Sequence, residues 1–263
     1  GCGNTIVQSW TNVDFKSNSQ FVIEHNLLSG IPFANDKFEV VYHSHVLEHF
    51  TKQDGEKLIN ECYRVLKEGG VLRIVIPDLE QNVKSYIDKL NCVIADENPI
   101  NQANYEWAII ELIDQLVRTN GGGEMIKYWE QDEIINESFV FERVGYEFKD
   151  FRDRLKSRDK KSKVYNKSSI YSRLKGKINR ILKKDNKLTK YEELGKFRLS
   201  GEIHQWMYDR YSISQLLKKA GFSKVNITTA FESEIPNWGE FIHLDVKNNE
   251  KRKPDSLYIE AIK

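Results

Sequence analysis

The chain has 263 residues, of which 40% are hydrophobic and 30% charged, with a formal net charge of +1. That length can bury a full-sized core as one large or two small domains, and the composition is that of a soluble globular protein. No run of about 18 apolar residues exists and no signal peptide opens the chain, while Cys2, Cys62 and Cys92 lack paired spacing; together these argue against a membrane span and a structural zinc site, and for a reducing compartment, by default the cytoplasm.

The near-zero net charge hides an asymmetry. From Arg152 to Lys190 there are 16 Lys or Arg against 3 Asp, so this segment carries +13 and the rest of the chain −12. A basic arm is embedded in an acidic body.

In chain order, Gly1-Cys2-Gly3 with Asn4 reads as a glycine-rich turn, and the start at Gly1 without a methionine points to a natural start upstream. Thr11 to Phe15 reads as a short strand ending in Asp14, an acid placed where the hydroxyls of a ribose can be held. Phe21 to Leu27 is a second strand candidate, followed by the turn Gly30-Ile31-Pro32-Phe33. Phe38 to Val41 reads as a strand buried on both faces, and Val46 to Phe50 as the first turn of the next helix. Between them His43, Ser44 and His45 fall at the carboxyl end of a strand, the edge where open α/β sheets bind ligands.

Gln53 to Lys67 places Leu58, Ile59, Cys62, Val65 and Leu66 on one helical face, with Gly69-Gly70 as its left-handed cap. Val71 to Ile76 is a β-branched strand closed by Pro77-Asp78. Tyr105 to Arg118 is a helix stopped by Asn120-Gly121-Gly122-Gly123, and Ile126 to Ile135 a shorter one. Ile170 to Lys184 carries Ile170, Leu174, Ile178, Ile181 and Leu182 on one face and cations elsewhere, the pattern of a basic helix on an anionic surface such as a membrane; sparse aromatic residues argue against nucleic acid. Tyr211 to Ala220 is a helix ending at Gly221, and Val225 to Thr229 and Ser256 to Ile262 are the last strands. This alternation predicts a mostly parallel, doubly wound sheet.

GCGN, then VD, then HNLLSGIPFANDKFEVVYHSHVLEHF and ECYRVLKEGGVLRIVIPDLE, with AGFSKVNIT and KPDSLYIEAIK near the end, resemble a class I S-adenosylmethionine-dependent methyltransferase of the small-molecule type. The tail HQWMYDRYSISQLLKKAGF is similar to that of bacterial methyltransferases found with surface-polysaccharide genes. The resemblance implies a Rossmann-like core over 1–82 and 201–263, with the family's first strand expected before Gly1, and a largely helical insertion over 83–200 that caps the acceptor site and contains the basic arm 152–190. It implies S-adenosylmethionine as cofactor, with Gly1, Cys2 and Gly3 along its methionine and ribose, Asp14 on the ribose hydroxyls, Asn26 (where Asp is usual) and Leu27 at the adenine, and His43 and Ser44 nearby.

For the acceptor, the implied reaction is oxygen methylation of a saccharide in cell-surface glycan synthesis. His45 is the first candidate for the base, with His43, Asp78 and His204 as alternatives. His45, Glu48 and His49 form an HxxEH pattern. A metal-assisted RNA or quinone-type methyltransferase is therefore one alternative and a non-catalytic binding module on a decayed fold another, although no metal is expected. The oligomeric state is open.

Overall fold

A computed structural model describes residues 5–17, 19–162 and 189–263. The strands are β1 (Asn12–Asp14), β2 (Val22–Glu24), β3 (Phe38–Ser44), β4 (Leu66–Pro77), β5 (Lys224–Thr228), the small hairpin β6 (Val246–Lys247) and β7 (Glu250–Lys251), and β8 (Ser256–Ile262). The helices are α1 (Lys52–Val65), α2 (Leu79–Ala95), α3 (Pro99–Val117), α4 (Gly123–Trp129), α5 (Glu137–Val144), α6 (Tyr146–Ser162), α7 (Lys190–Arg198), α8 (Arg210–Lys219) and α9 (Trp238–Phe241). Gly1, Cys2, Gly3 and the segment 170–184, to which the sequence assigns roles, lie outside the described residues.

The central sheet has the order β3-β4-β8-β5. β3 and β4 are parallel, while β8 runs against both β4 and β5, so three of these four strands share one direction. β1 and β2 form their own parallel pair, and no strand among the described residues joins them to the larger sheet. The architecture is the expected Rossmann-like α/β sheet.

β4 is the centre of that sheet because, apart from the buried Arg73, its sequence is apolar where it is covered on both faces: Leu72, Ile74, Val75 and Ile76 are all buried. β3 departs from expectation. Among the described residues it pairs only with β4, and it is mostly half-exposed, with only His43 fully buried. α1 also ends earlier than its glycines suggest. Thr51 caps its start by accepting from the Asp54 amide, and Leu66 is already extended. Gly69, at φ +74°, instead serves an irregularity in β4, where the register with β3 jumps from Phe38↔Leu66 to Val40↔Val71.

Leu58, Ile59, Cys62 and Val65 of α1 are buried as their spacing predicts. Leu58, Ile59 and Cys62 pack with Ile213 and Leu217 of α8 and with Leu72, Ile74 and Ile259 of the sheet in one core. A second core lies wholly within the helical region, around Trp107, Met125, Tyr128, Trp129, Val140 and Phe148. The short helix foreseen over Ile126 to Ile135 begins and ends earlier, as α4, with Ile134 left in the following loop. Burying about half a dozen large side chains away from the sheet gives this region its own source of stability, each worth about 1.5–3 kcal/mol. Cys62 and Cys92 are free thiols. Among the described residues no helix is long and apolar enough to cross a membrane.

Candidate active site

The carboxyl ends of β3 and β4 and the beginning of antiparallel β8 meet at one edge of the sheet, where Pro77 pairs with Ser256. His43 and Ser44 are the last residues of β3. His45 follows at φ +52°, a left-handed conformation that is uncommon for a residue with a side chain, and its amide donates to Val75 O (2.8 Å). That sharp corner, together with the turn Leu47–His49, replaces the helical first turn expected over Val46 to Phe50; the helix proper starts only after Thr51. His45, Glu48 and His49 are thus brought together by a corner and a 3₁₀ turn, not by one face of an α-helix.

The imidazole of His45 is held at both nitrogens. Nδ1 lies 3.2 Å from Glu48 Oε1, and Nε2 is 2.9 Å from Ser256 Oγ. Glu48 is 1% exposed, and neither of its carboxylate oxygens has a partner of hydrogen-bond geometry. Burial alone would raise its pKa, but the surrounding imidazoles, His45 first, outweigh this and hold it down to about 2.

The segment Ile203–Trp206 is stitched over this turn. The amides of Gln205 (2.7 Å) and Trp206 (3.2 Å) donate to Glu48 O, Gln205 Nε2 donates to His49 O (2.8 Å), and His49 Nδ1 donates to Ile203 O (3.0 Å). These bonds set His204 edge-on against His49, with ring centroids 4.9 Å apart. Burial drives His204 down to about 3, against the opposing pull of Glu48, so it is neutral at pH 7. His43 is likewise buried, is pushed down to about 4 chiefly by burial, and has no partner at either ring nitrogen. Tyr208 Oη is a further buried, unpartnered atom, approaching Gly55 so closely that a Cβ there would lie 2.7 Å from it.

Asp78, a candidate base, has a structural task. Its Oδ1 accepts from the amides of Glu80 (3.0 Å) and Gln81 (3.3 Å) as the N-cap of α2. Asp14 ends β1, and its carbonyl accepts from the His25 amide (2.8 Å). Asn26 caps the turn Leu27–Ser29 by accepting from the Leu28 amide (3.0 Å). Both therefore follow carboxyl ends of parallel strands, where the sequence placed them. The sequence reading missed Ser256, which meets His45 across 211 positions of chain, and it undervalued Glu48; only the buried setting reveals either.

One group of side chains could accommodate a cation. Single ligand atoms of Glu48, His49 and His204 lie within 4.8 Å of one another.

Residues 6–74 match a family model described as a methyltransferase domain. The matched segment holds β1 to β3, α1 and most of β4, and with them the corner that carries His43, His45, Glu48 and His49. Among solved structures, a SAM-dependent methyltransferase from Archaeoglobus fulgidus aligns over 95% of this chain and 74% of its own, at 12% identity and a TM-score of 0.35, a likeness too slight to add to the family match. No curated protein matches.

The described residues are compatible with S-adenosylmethionine, the cofactor that the sequence resemblance implies. Asp14 and Asn26 stand at strand ends suited to ribose and adenine, and the buried, unpartnered nitrogens of His43 are polar atoms in want of a ligand.

Proposed function

We propose that the protein methylates an oxygen of a saccharide, with His45 as the general base. The observation that carries this reading is the fixed imidazole of His45, held between Glu48 and Ser256 at the carboxyl edge of the sheet. The similarity of the tail to methyltransferases of surface-polysaccharide loci supports the acceptor class. S-adenosylmethionine supplies an electrophilic methyl group on a sulfonium. Asp14 would hold the ribose hydroxyls, Asn26 and Leu27 would flank the adenine, and His43 and Ser44 would meet the cofactor at the end of β3.

The remaining chemistry falls to the chain's own side chains. An alcohol must lose its proton as its oxygen takes the methyl group, and that proton goes to His45 Nε2 once the acceptor hydroxyl displaces Ser256 Oγ from it. Glu48, ionised beside Nδ1, fixes the tautomer that leaves Nε2 free to accept and stabilises the imidazolium that forms. Because the carboxylate is buried, its effect on that charge is weakly screened. The segment Ile203–Trp206 closes over the turn and keeps water from Glu48. The experiment is a screen of nucleotide sugars and lipid-linked glycans with radiolabelled S-adenosylmethionine, scored for alkali-stable methyl ethers. Label appearing only on nitrogen or on RNA would overturn the reading.

One observation favours a second reading, metal-assisted methyl transfer: the convergence of Glu48, His49 and His204. The hydrogen bond from His49 Nδ1 to a backbone carbonyl is the outer support that imidazole ligands commonly have. Calorimetric titration with Mg²⁺ and Mn²⁺ decides it; no heat with either, together with full activity in chelator, leaves the His45 route.

For the basic arm, the proposal is that the segment 170–184 docks the enzyme on anionic lipid, each nearby cation contributing about 1 kcal/mol.

A further inference from the structure

We propose that Trp206 and Lys52 form a stacking platform for an anionic sugar unit at the rim of the active site, a deepening that rests on the saccharide reading above. The segment that closes over Glu48 has two sides. Ile203, His204 and Tyr208 turn inward and are buried, whereas the indole of Trp206 is 40% exposed. An exposed aromatic residue alone means little. This one is rigidly mounted: its own amide and that of Gln205 are tied to Glu48 O, and Tyr208 beyond it bridges to Asp78.

The second observation is the cation beside it. Lys52 Nζ lies 5.2 Å from the centroid of the Trp206 ring. Lys52 is the first residue of α1, where the free amides of the helix repel a positive charge, and it has no carboxylate partner among the described ion pairs. Two other cations near this segment are by contrast paired, Arg210 with Glu80 (2.9 Å) and Arg118 with Glu202 (3.9 Å). An exposed indole and an unneutralised ammonium at an unfavourable helix position each run against local preference, and they occur together.

The chemistry that satisfies both is a pyranose with an acidic substituent. The C–H face of the ring lies flat on the indole, its hydroxyl edge stays in water or reaches toward His45, and a carboxylate or phosphate meets Lys52. Single-stranded nucleic acid would call for a succession of stacking rings along a cationic track, and this rim offers one indole.

The test is calorimetry and steady-state kinetics on the full chain, with trigalacturonate, glucose 6-phosphate, maltotriose and a mixed-sequence DNA 12-mer as probes. Wild type should bind trigalacturonate more tightly than maltotriose. Trp206→Ala should weaken binding or raise KM for the sugar acceptor about tenfold with kcat nearly unchanged, and Trp206→Phe should recover most of this. Lys52→Gln should abolish the preference for the charged sugar and leave maltotriose binding as it was. Whichever of trigalacturonate and glucose 6-phosphate responds to Lys52→Gln identifies the anion. S-adenosylmethionine affinity serves as the folding control and should not move in any variant. If sugars are methylated but both variants keep wild-type KM, the platform is wrong while the saccharide reading stands. If wild type neither binds nor methylates any sugar, or the 12-mer is the probe that Trp206→Ala releases, both fall.

Discussion

Two of the buried charge clusters among the described residues are built in opposite ways. Around Arg73 of β4 every demand is met: its guanidinium donates to Asp245, Glu260, Thr229 O and Glu232 O and lies over the ring of Trp238. Asp245 in turn accepts from Tyr42, and Glu260 from Ser233 and the Glu234 amide. Around Glu48 the demands are left open. Apart from the 3.2 Å approach of His45 Nδ1 to Glu48 Oε1, the carboxylate of Glu48 is buried without partners, as are both ring nitrogens of His43 and the hydroxyl of Tyr208. A satisfied network specifies a core, whereas polar atoms held out of water without partners are costly and mark a place prepared for a ligand. The carboxyl edge of the sheet, where His43 ends β3, points to the same second cluster.

The largest effect that can sharpen this contrast is on stability. Arg73→Ala leaves two buried carboxylates without their counter-charge and should cost about 3–5 kcal/mol in chemical denaturation. A loss below 1 kcal/mol would remove the distinction between the clusters.

Acid should act on the other cluster. His43, at about 4, and His204, at about 3, are both held below the ordinary 6.5 by burial, so each binds its proton at higher pH in the unfolded chain than in the folded one. Their contribution is therefore complete above pH 6.5 and is lost as pH falls toward 4; Glu48, lowered from 4.5 to about 2, adds its own loss over that lower range. For His43 the loss is about 3 kcal/mol, so His43→Leu should flatten the fall in stability between pH 7 and 4 by roughly that amount. Parallel curves for wild type and variant would show that His43 is not buried neutral.

On chemistry, His45→Ala should lower turnover about 100-fold, or about 2.7 kcal/mol, with affinity for S-adenosylmethionine within about twofold. Equal turnover would take His45 out of the mechanism and favour the convergence of Glu48, His49 and His204 instead.

Much of the framework was legible in the residues. The alternation of apolar runs and amphipathic stretches placed α1, β4, α8, β5 and β8 within a few positions, because burial on a sheet imposes that periodicity directly. What escaped depended on context. Phe38 to Val41 is apolar enough for a central strand, yet among the described residues it pairs with β4 alone, and strand neighbours are not encoded in a local pattern. Gly69-Gly70 has the chemistry of a helix cap, but the extended backbone at Leu66 had already ended the helix. Asp78 looked like a base and is a cap, since the same carboxylate suits either task and only the amides of Glu80 and Gln81 decide between them. The histidine corner was visible as a cluster. Its pairing with Ser256 and its cover by Ile203–Trp206 were not, because those contacts span about 150 residues or more and no local pattern encodes them.

The most direct measurement is calorimetric titration of the full chain with S-adenosylmethionine, comparing wild type with Asp14→Ala. The account predicts one cofactor bound per chain by wild type and affinity weakened about tenfold or more in the variant, since the charge-assisted hydrogen bonds to the ribose are worth roughly 1.5–3 kcal/mol. Equal affinity in the two proteins, or no binding by wild type, would contradict it.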